Sequence, residues 1–244
     1  MFSNDIFYNK EIIHLKEVDS TSNYIKRNKT SGKELIVIAE CQTSGRGRFG
    51  RSFLSDEGGL YFSFSFTPDV APHETLHYTA LAALAVNSVL RDTTGGDFRI
   101  KWPNDIYFED RKIVGILTEA VHNKDGYYLV FGIGINVSNK ISESLDTAAS
   151  IKECTDIELE KTELMYLVID KLETLISSSP SSFAKYISAY EAYCLTLGKT
   201  VRAEVKGQII EGEAVGVDEK AFLLIKTGGG GITALSSGEA TLKK

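Results

Sequence analysis

The stretch Ala39-Glu40-Cys41-Gln42-Thr43-Ser44-Gly45-Arg46-Gly47-Arg48-Phe49-Gly50-Arg51 decides how the rest of the chain is read. The apolar run Leu35 to Ala39 leading into it predicts a buried strand. Gly45 to Gly50 then interleaves glycine with arginine, so a bendable backbone carries closely spaced guanidinium groups. Arginine presents planar, fixed donors that suit phosphate or carboxylate. Without an anion, Arg46, Arg48 and Arg51 repel one another, which predicts a loop that stays mobile until a ligand arrives.

Gly45 to Gly50 also fits G-x-G-x-x-G, but that fingerprint needs a helix directly after the strand. Ser52 to Gly59 reads as loop instead, and the Lys and Ser/Thr of a phosphate-loop pattern are missing. A dinucleotide site is set aside on that context.

Around this loop the chain is that of an ordinary globular protein: 244 residues, 43% apolar and 25% charged, room for one larger domain and a small one. A net charge of −6 does not favour general DNA affinity, so the arginines form a local site on an acidic protein. Cys41, Cys154 and Cys194 are far apart, with no C-x-x-C, which fits a reducing cytoplasm and no disulfide framework. No signal peptide or long apolar run is present, so no membrane association is expected.

Upstream, Ser20-Thr21-Ser22 precedes a first helix at Asn23 to Arg27. These hydroxyl groups either cap that helix or face a ligand. Downstream, Leu60 to Phe66 alternates aromatic with serine, predicting a strand with one apolar face. A helix is expected from Pro72 to about Asp92. Its first turn contains His73-Glu74-Thr75-Leu76-His77, an H-E-x-x-H match that would make a zinc hydrolase if a third ligand such as Asp97 joined it. The plainer reading is an exposed first helical turn.

Strands follow at Asp97 to Trp102, Ile106 to Phe108, Ile113 to Ala120 and Tyr127 to Ile135, with a hairpin turn at Asn123 to Gly126. Gly115, Gly132 and Gly134 leave room for a close approach, and with Lys101 and Lys112 they suggest one lined pocket. Residues 138–160 read as irregular, either a disordered loop or a second lid. Helices are expected at Thr162 to Ser177 and Ser182 to Leu195. From Lys199 short β runs take over at Val201 to Val205, Gln208 to Val217, Ala221 to Ile225 and Ile232 to Leu235. Turns at Lys206-Gly207, Asp218 to Lys220 and Gly228 to Gly231 separate them, which predicts a small β-barrel. The expected domains are 1–197 and 198–244.

Taken together these segments resemble the biotin–protein ligase family. The resemblance rests on Asp19-Ser20-Thr21, Ala39-Glu40 with Gln42, Gly45-Arg46-Gly47-Arg48 with Gly50-Arg51, Lys101-Trp102-Pro103-Asn104-Asp105, Arg111-Lys112 with Gly115-Ile116-Leu117, and Gly132 to Asn136. It implies an α/β (α+β) catalytic domain, with a mixed central sheet and flanking helices like class II aminoacyl-tRNA synthetases, and a C-terminal SH3-like barrel. It implies that biotin and ATP with Mg²⁺ give biotinyl-5′-AMP, and that a lysine of a biotin carboxyl carrier domain, from a biotin-dependent carboxylase or decarboxylase, then takes the biotinyl group. No all-protein metal site is implied, since Mg²⁺ comes with ATP.

By the same resemblance Ser20, Thr21, Ser22, Gln42, Gly45, Arg46, Gly47, Arg48, Lys112, Gly115, Gly132 and Gly134 serve biotin. Arg48, Arg51, Lys101, Asn104, Lys112 and Asn136 serve ATP. Arg48, Lys112 and Asp105 are the catalytic candidates, Asp105 as the group that orients or deprotonates the carrier amine. The family's Ser-Thr-Asn is here Ser20-Thr21-Ser22 followed by Asn23, and Phe53 stands where the family often has Trp. Because the site begins at Ser20, no DNA-binding repressor segment is expected before it. The rival readings are a lipoate–protein ligase of the same architecture, the zinc hydrolase above, and a biotin sensor that binds without transferring.

Overall fold

The computed structural model describes residues 10–30, 32–68, 75–123, 126–141, 147–178, 183–205, 208–236 and 241–242. In chain order these form β1 (Lys10–Val18), α1 (Thr21–Asn28), β2 (Glu34–Gln42), β3 (Leu60–Phe66), α2 (Leu76–Thr94), β4 (Phe98–Lys101), β5 (Asp105–Phe108), β6 (Arg111–Asn123) and β7 (Gly126–Ile135). Then come α3 (Ile151–Thr155), α4 (Lys161–Ser178), α5 (Ile187–Tyr193), β8 (Thr200–Val205), β9 (Gln208–Val217), β10 (Leu223–Thr227), β11 (Ile232–Leu235) and β12 (Thr241–Leu242).

The period-two pattern of β3 organises the first sheet. It sends Leu60, Phe62 and Phe64 into the larger core with α2 and α4, where Phe64 stacks on Phe131 at 4.9 Å. Each such ring removed from water contributes about 1.5–3 kcal/mol. Ser63 faces the other way and meets the hydroxyls of Thr21 and Ser22 on α1. On that face Ile25 of α1 closes a smaller core with Leu35, Val37, Tyr128 and Val130. The sheet therefore lies between helices and runs β1-β2-β3-β7-β6-β5-β4, with β1 parallel to β2 and the remaining pairs antiparallel. This is the mixed sheet expected. The second sheet, order β11-β10-β9-β8-β12, is antiparallel throughout.

The two sheets are joined at one seam. The Trp102 indole N–H donates to the Ala221 carbonyl at 2.9 Å, and the Trp102 backbone N–H donates to Thr196 Oγ1 at 3.0 Å. Tyr190 on α5 donates to the Pro103 carbonyl at 3.3 Å. Ala221 adopts φ +63° in the turn before β10, so that strand begins at Leu223 rather than at Ala221.

Other expectations are corrected. Residues 138–160 are not irregular throughout: Ser150 caps α3, its Oγ accepting from Glu153 N–H and its backbone N–H donating to the Glu153 carboxylate. Ser142 and Ser144 lie outside the described residues. The helix expected from Ser182 to Leu195 is shorter and broken, a 3-10 turn at Ala184–Tyr186 leading into α5. Ser182, Pro72 and His73, together with Lys124-Asp125 and Lys206-Gly207, lie outside the described residues. Among the described residues no helix is long and apolar enough to cross a membrane.

Candidate active site

Two cavities adjoin at the end of the first sheet. The smaller measures about 20 Å³ and is lined by the start of α1 (Ser20, Thr21, Ser22), by Gln42 at the end of β2, and by Gly132 to Gly134 on β7. The larger measures about 380 Å³ and is lined by Gly47, Arg48, Arg51 and Ser52 of the loop, Lys101 to Asp105, Tyr107, Lys112 and Ile116. Arg46, Phe53 and Gly115 line both.

A hydroxyl network holds the smaller cavity. Ser20 is the N-cap of α1, its Oγ accepting from Asn23 N–H, while Thr21 and Ser22 occupy the first turn. Thr21 donates from both its backbone N and its Oγ1 to Gln42 Oε1, at 2.9 and 3.2 Å. Gln42 Nε2 donates to Ser55 Oγ at 2.9 Å, and Ser55 Oγ to the Phe53 carbonyl at 3.0 Å. The Gln42 amide is thereby oriented by partners on both ends. The capping reading of the serine–threonine run holds at Ser20, and Ser20, Thr21 and Ser22 all line the smaller cavity.

Phe53 supplies the partition between the cavities. A Cβ placed on Gly134 would lie 2.6 Å from its ring, and one on Gly115 would lie 2.9 Å away. These glycines are thus close-approach positions, and in this structure the group that approaches is a phenyl ring. The loop before it is pinned by the pairing of Arg46 with Ser52 and of Gln42 with Ser55. Gly45 lines neither cavity. It turns the chain where a Cβ would sit 2.3 Å from the Phe53 carbonyl.

In the larger cavity Lys112 Nζ pairs with Asp105 Oδ1 at 2.8 Å. Arg48 donates to Asn104 Oδ1 at 3.2 Å, and Asn104 donates to the Ile116 carbonyl at 2.8 Å and to Asp105 at 3.1 Å. Antiparallel pairing sets Lys101 against Asp105 and Asp105 against Gly115, so these groups converge on neighbouring strands. Tyr107 was not singled out by the sequence. Burial, with the Asp105 carboxylate nearby, pushes its phenol up to about 12, and Lys101 Nζ lies 5.4 Å from its ring centre. It therefore stays a neutral donor at physiological pH. Asn136 lines neither cavity. It is buried at the end of β7 and accepts from Asn139 Nδ2 at 3.1 Å.

His77 sits in the first turn of α2 beside Tyr78, and burial lowers its imidazole to about 4. His73 lies outside the described residues, and among the described residues no cluster of three metal-ligating side chains forms; the turn is also less exposed than expected, with Leu76 buried.

Residues 15–136 match the family model described as "Biotin/lipoate A/B protein ligase family", and residues 196–243 match "Biotin protein ligase C terminal domain". The bifunctional ligase/repressor BirA of Bacillus subtilis is 31% identical over 210 residues, covering 83% of this chain and 65% of that protein. The chain thus spans just under two thirds of that relative's length. BirA of Escherichia coli is 30% identical over 237 residues, covering 92% and 74%. A biotin protein ligase from Aquifex aeolicus, solved with biotin and ATP, matches with a TM-score of 0.83 and 37% identity over 96% of this chain and 99% of that one.

Proposed function

The chain belongs to the biotin/lipoate A/B protein ligase family, and on that premise we propose that it attaches biotin to a lysine of a biotin carboxyl carrier domain through biotinyl-5′-AMP. The observation that carries this reading is the junction of the two cavities at Phe53 and Gly115: a hydroxyl- and amide-lined hollow on one side, a space bearing Arg48, Arg51, Lys101 and Lys112 on the other.

The chemistry asks for such a junction. Biotin's carboxylate is already nucleophilic, so no serine, cysteine or histidine has to be activated. An oxygen of that carboxylate attacks the α-phosphorus of ATP and pyrophosphate leaves. The obstacle is repulsion between two anions, and fixed cationic donors in a confined space lower it. Lys112 and Arg48 are the donors assigned here, with Arg51, Lys101 and Asn104 toward the nucleotide. Mg²⁺ bound with ATP would add charge neutralisation. The larger cavity suits a metal carried on phosphate oxygens rather than one held by protein, since its carboxylate, Asp105, is already paired with Lys112. Asn136 is left out of the nucleotide set on its position.

In the second half-reaction the carrier amine attacks the acyl carbon and AMP leaves. That amine must lose a proton from an unperturbed pKa near 10.4. Asp105 is assigned to receive or orient it, once Lys112 turns to the ligand's anions. The smaller cavity, at about 20 Å³, holds little more than a water. Biotin's fused rings therefore require the Phe53 ring to move aside, a rearrangement coupled to binding. Residues 1–197 are assigned to this chemistry and 198–244 to the C-terminal unit.

The test is incorporation of labelled biotin into a purified carrier domain, with ATP–pyrophosphate exchange dependent on biotin and lipoate as the control acid. Exchange driven by lipoate alone would move the assignment to the sister activity, and biotin binding without exchange would make the protein a sensor.

A further inference from the structure

Arg46 is set apart from the other loop arginines by what its guanidinium touches. Its Nη1 donates to Asn23 Oδ1 on α1 at 2.9 Å and lies 3.6 Å from Glu119 Oε1 on β6. Glu119 is also paired with Lys26 of α1 at 2.6 Å. Asn23 cannot turn its amide round freely, because Nδ2 donates to Asp19 Oδ2 at 3.3 Å. Asp19 in turn is held by both terminal nitrogens of Arg27 at 2.7 Å, which keeps its carboxyl well below the usual carboxylate range. A fixed amide oxygen on α1 and a carboxylate on β6 thus converge on one guanidinium.

We infer that Asn23 and Glu119 are positioning residues that latch Arg46 over the smaller cavity. The positive charge of Arg46 then serves to shut the loop, while anion neutralisation falls to Arg48 and Lys112. This rests on the ligase reading above and adds to it a division of labour among the arginines. The consequence for the reaction is retention. An acyl adenylate hydrolyses in water, and an enzyme that makes it before the carrier docks must keep it enclosed. The latch keeps the Arg46 end of the loop down without placing that arginine against the phosphates. Charge-assisted bonds of this kind shift an open–closed equilibrium by a modest factor, which suits a closure that must also release.

Two readouts test the latch. The first needs no turnover: trypsin cleavage after Arg46, Arg48 or Arg51, mapped by mass spectrometry on the full chain. Asn23→Ala and Glu119→Gln are expected to speed cleavage there about tenfold with an unchanged melting temperature. The second is escape of biotinyl-5′-AMP in a chase experiment. Escape is expected to rise about tenfold in the same two variants, with the single-turnover rate of adenylate formation at saturating substrates within about twofold of the parent. Cleavage and escape that stay at parental values, or loss of the chemical step itself as severe as in Arg48→Ala, would overturn the latch. A parent protein that forms no adenylate would instead sink the ligase reading, and the trypsin result would still decide the latch.

Discussion

Lys112 and Asp105 face each other across neighbouring strands of one sheet, ammonium nitrogen to carboxylate oxygen at 2.8 Å, inside the larger cavity. The pair places the cation assigned to adenylate formation against the carboxylate assigned to transfer. As Lys112 turns toward a bound anion, Asp105 is released to meet a second cation. Asp105→Asn should therefore slow biotinyl transfer from preformed adenylate about 100-fold or more, and slow adenylate formation much less. Separate assays of the two half-reactions measure this, and equal losses in both would remove Asp105 from the transfer step.

Arg48→Ala should depress biotin-dependent ATP–pyrophosphate exchange by about 10²–10³-fold, the cost of losing one donor to developing charge. Arg48 lies on a loop outside both hydrophobic cores, so the melting temperature should hardly change. Exchange and thermal denaturation on the same preparation check the two halves of the claim.

Gly134→Ala puts a methyl carbon 2.6 Å from the Phe53 ring, so the ring must shift. The expected outcome is a folded protein whose stabilisation by added biotin is lost or much reduced in a thermal-shift titration. Pairing it with Phe53→Ala, which removes the clash, should recover part of that response. A single variant that binds biotin as the parent does would detach the glycine from the site.

Trp102→Phe keeps most of the packing and removes the indole donor, leaving the buried Ala221 carbonyl unpaired. A cost of about 1–3 kcal/mol in unfolding free energy is expected, read from urea denaturation. A larger rise in KM for ATP than for biotin is also expected, because Trp102 adjoins Lys101 and Asn104 on the larger cavity.

His77 gives the pH prediction. Burial lowers its pKa from 6.5 to about 4, so between those values the unfolded chain binds the extra proton and the folded one does not. Stability should thus fall as pH drops from about 6.5 toward about 4, by about 1–2 kcal/mol after allowing for partial solvent access. His77→Gln should flatten this part of the curve of melting temperature against pH.

Much of the site was legible because its chemistry needs rare residues in short runs. Gly45 to Arg51 and Lys101 to Asp105 are dense in the donors that anions require, and the fold brings the three arginines of the first run and all of the second to one cavity. The β3 alternation was legible because one face of that strand meets the apolar core while the other meets the hydroxyls of Thr21 and Ser22. What escaped depended on contacts between distant segments. Phe53 is legible by resemblance as an aromatic position, but its seat on Gly115 and Gly134 is not, since those glycines are far along the chain. The bond from Arg46 to Asn23 spans 23 positions and carries no local pattern. Tyr107 enters the cavity only because β4, β5 and β6 turn back on themselves. Helix α3 is a different case: its signal, Ser150 three residues before Glu153, is present in the sequence but is masked by the polar residues around it.

The indole at the seam between the two sheets is the chain's single tryptophan. Intrinsic fluorescence excited near the red edge of protein absorption therefore comes from one address, beside Lys101 and Asn104 on the larger cavity and bonded to the C-terminal sheet. Its emission maximum and quenching by iodide give an optical readout, with no label attached, of whether that sheet stays docked while ligands come and go.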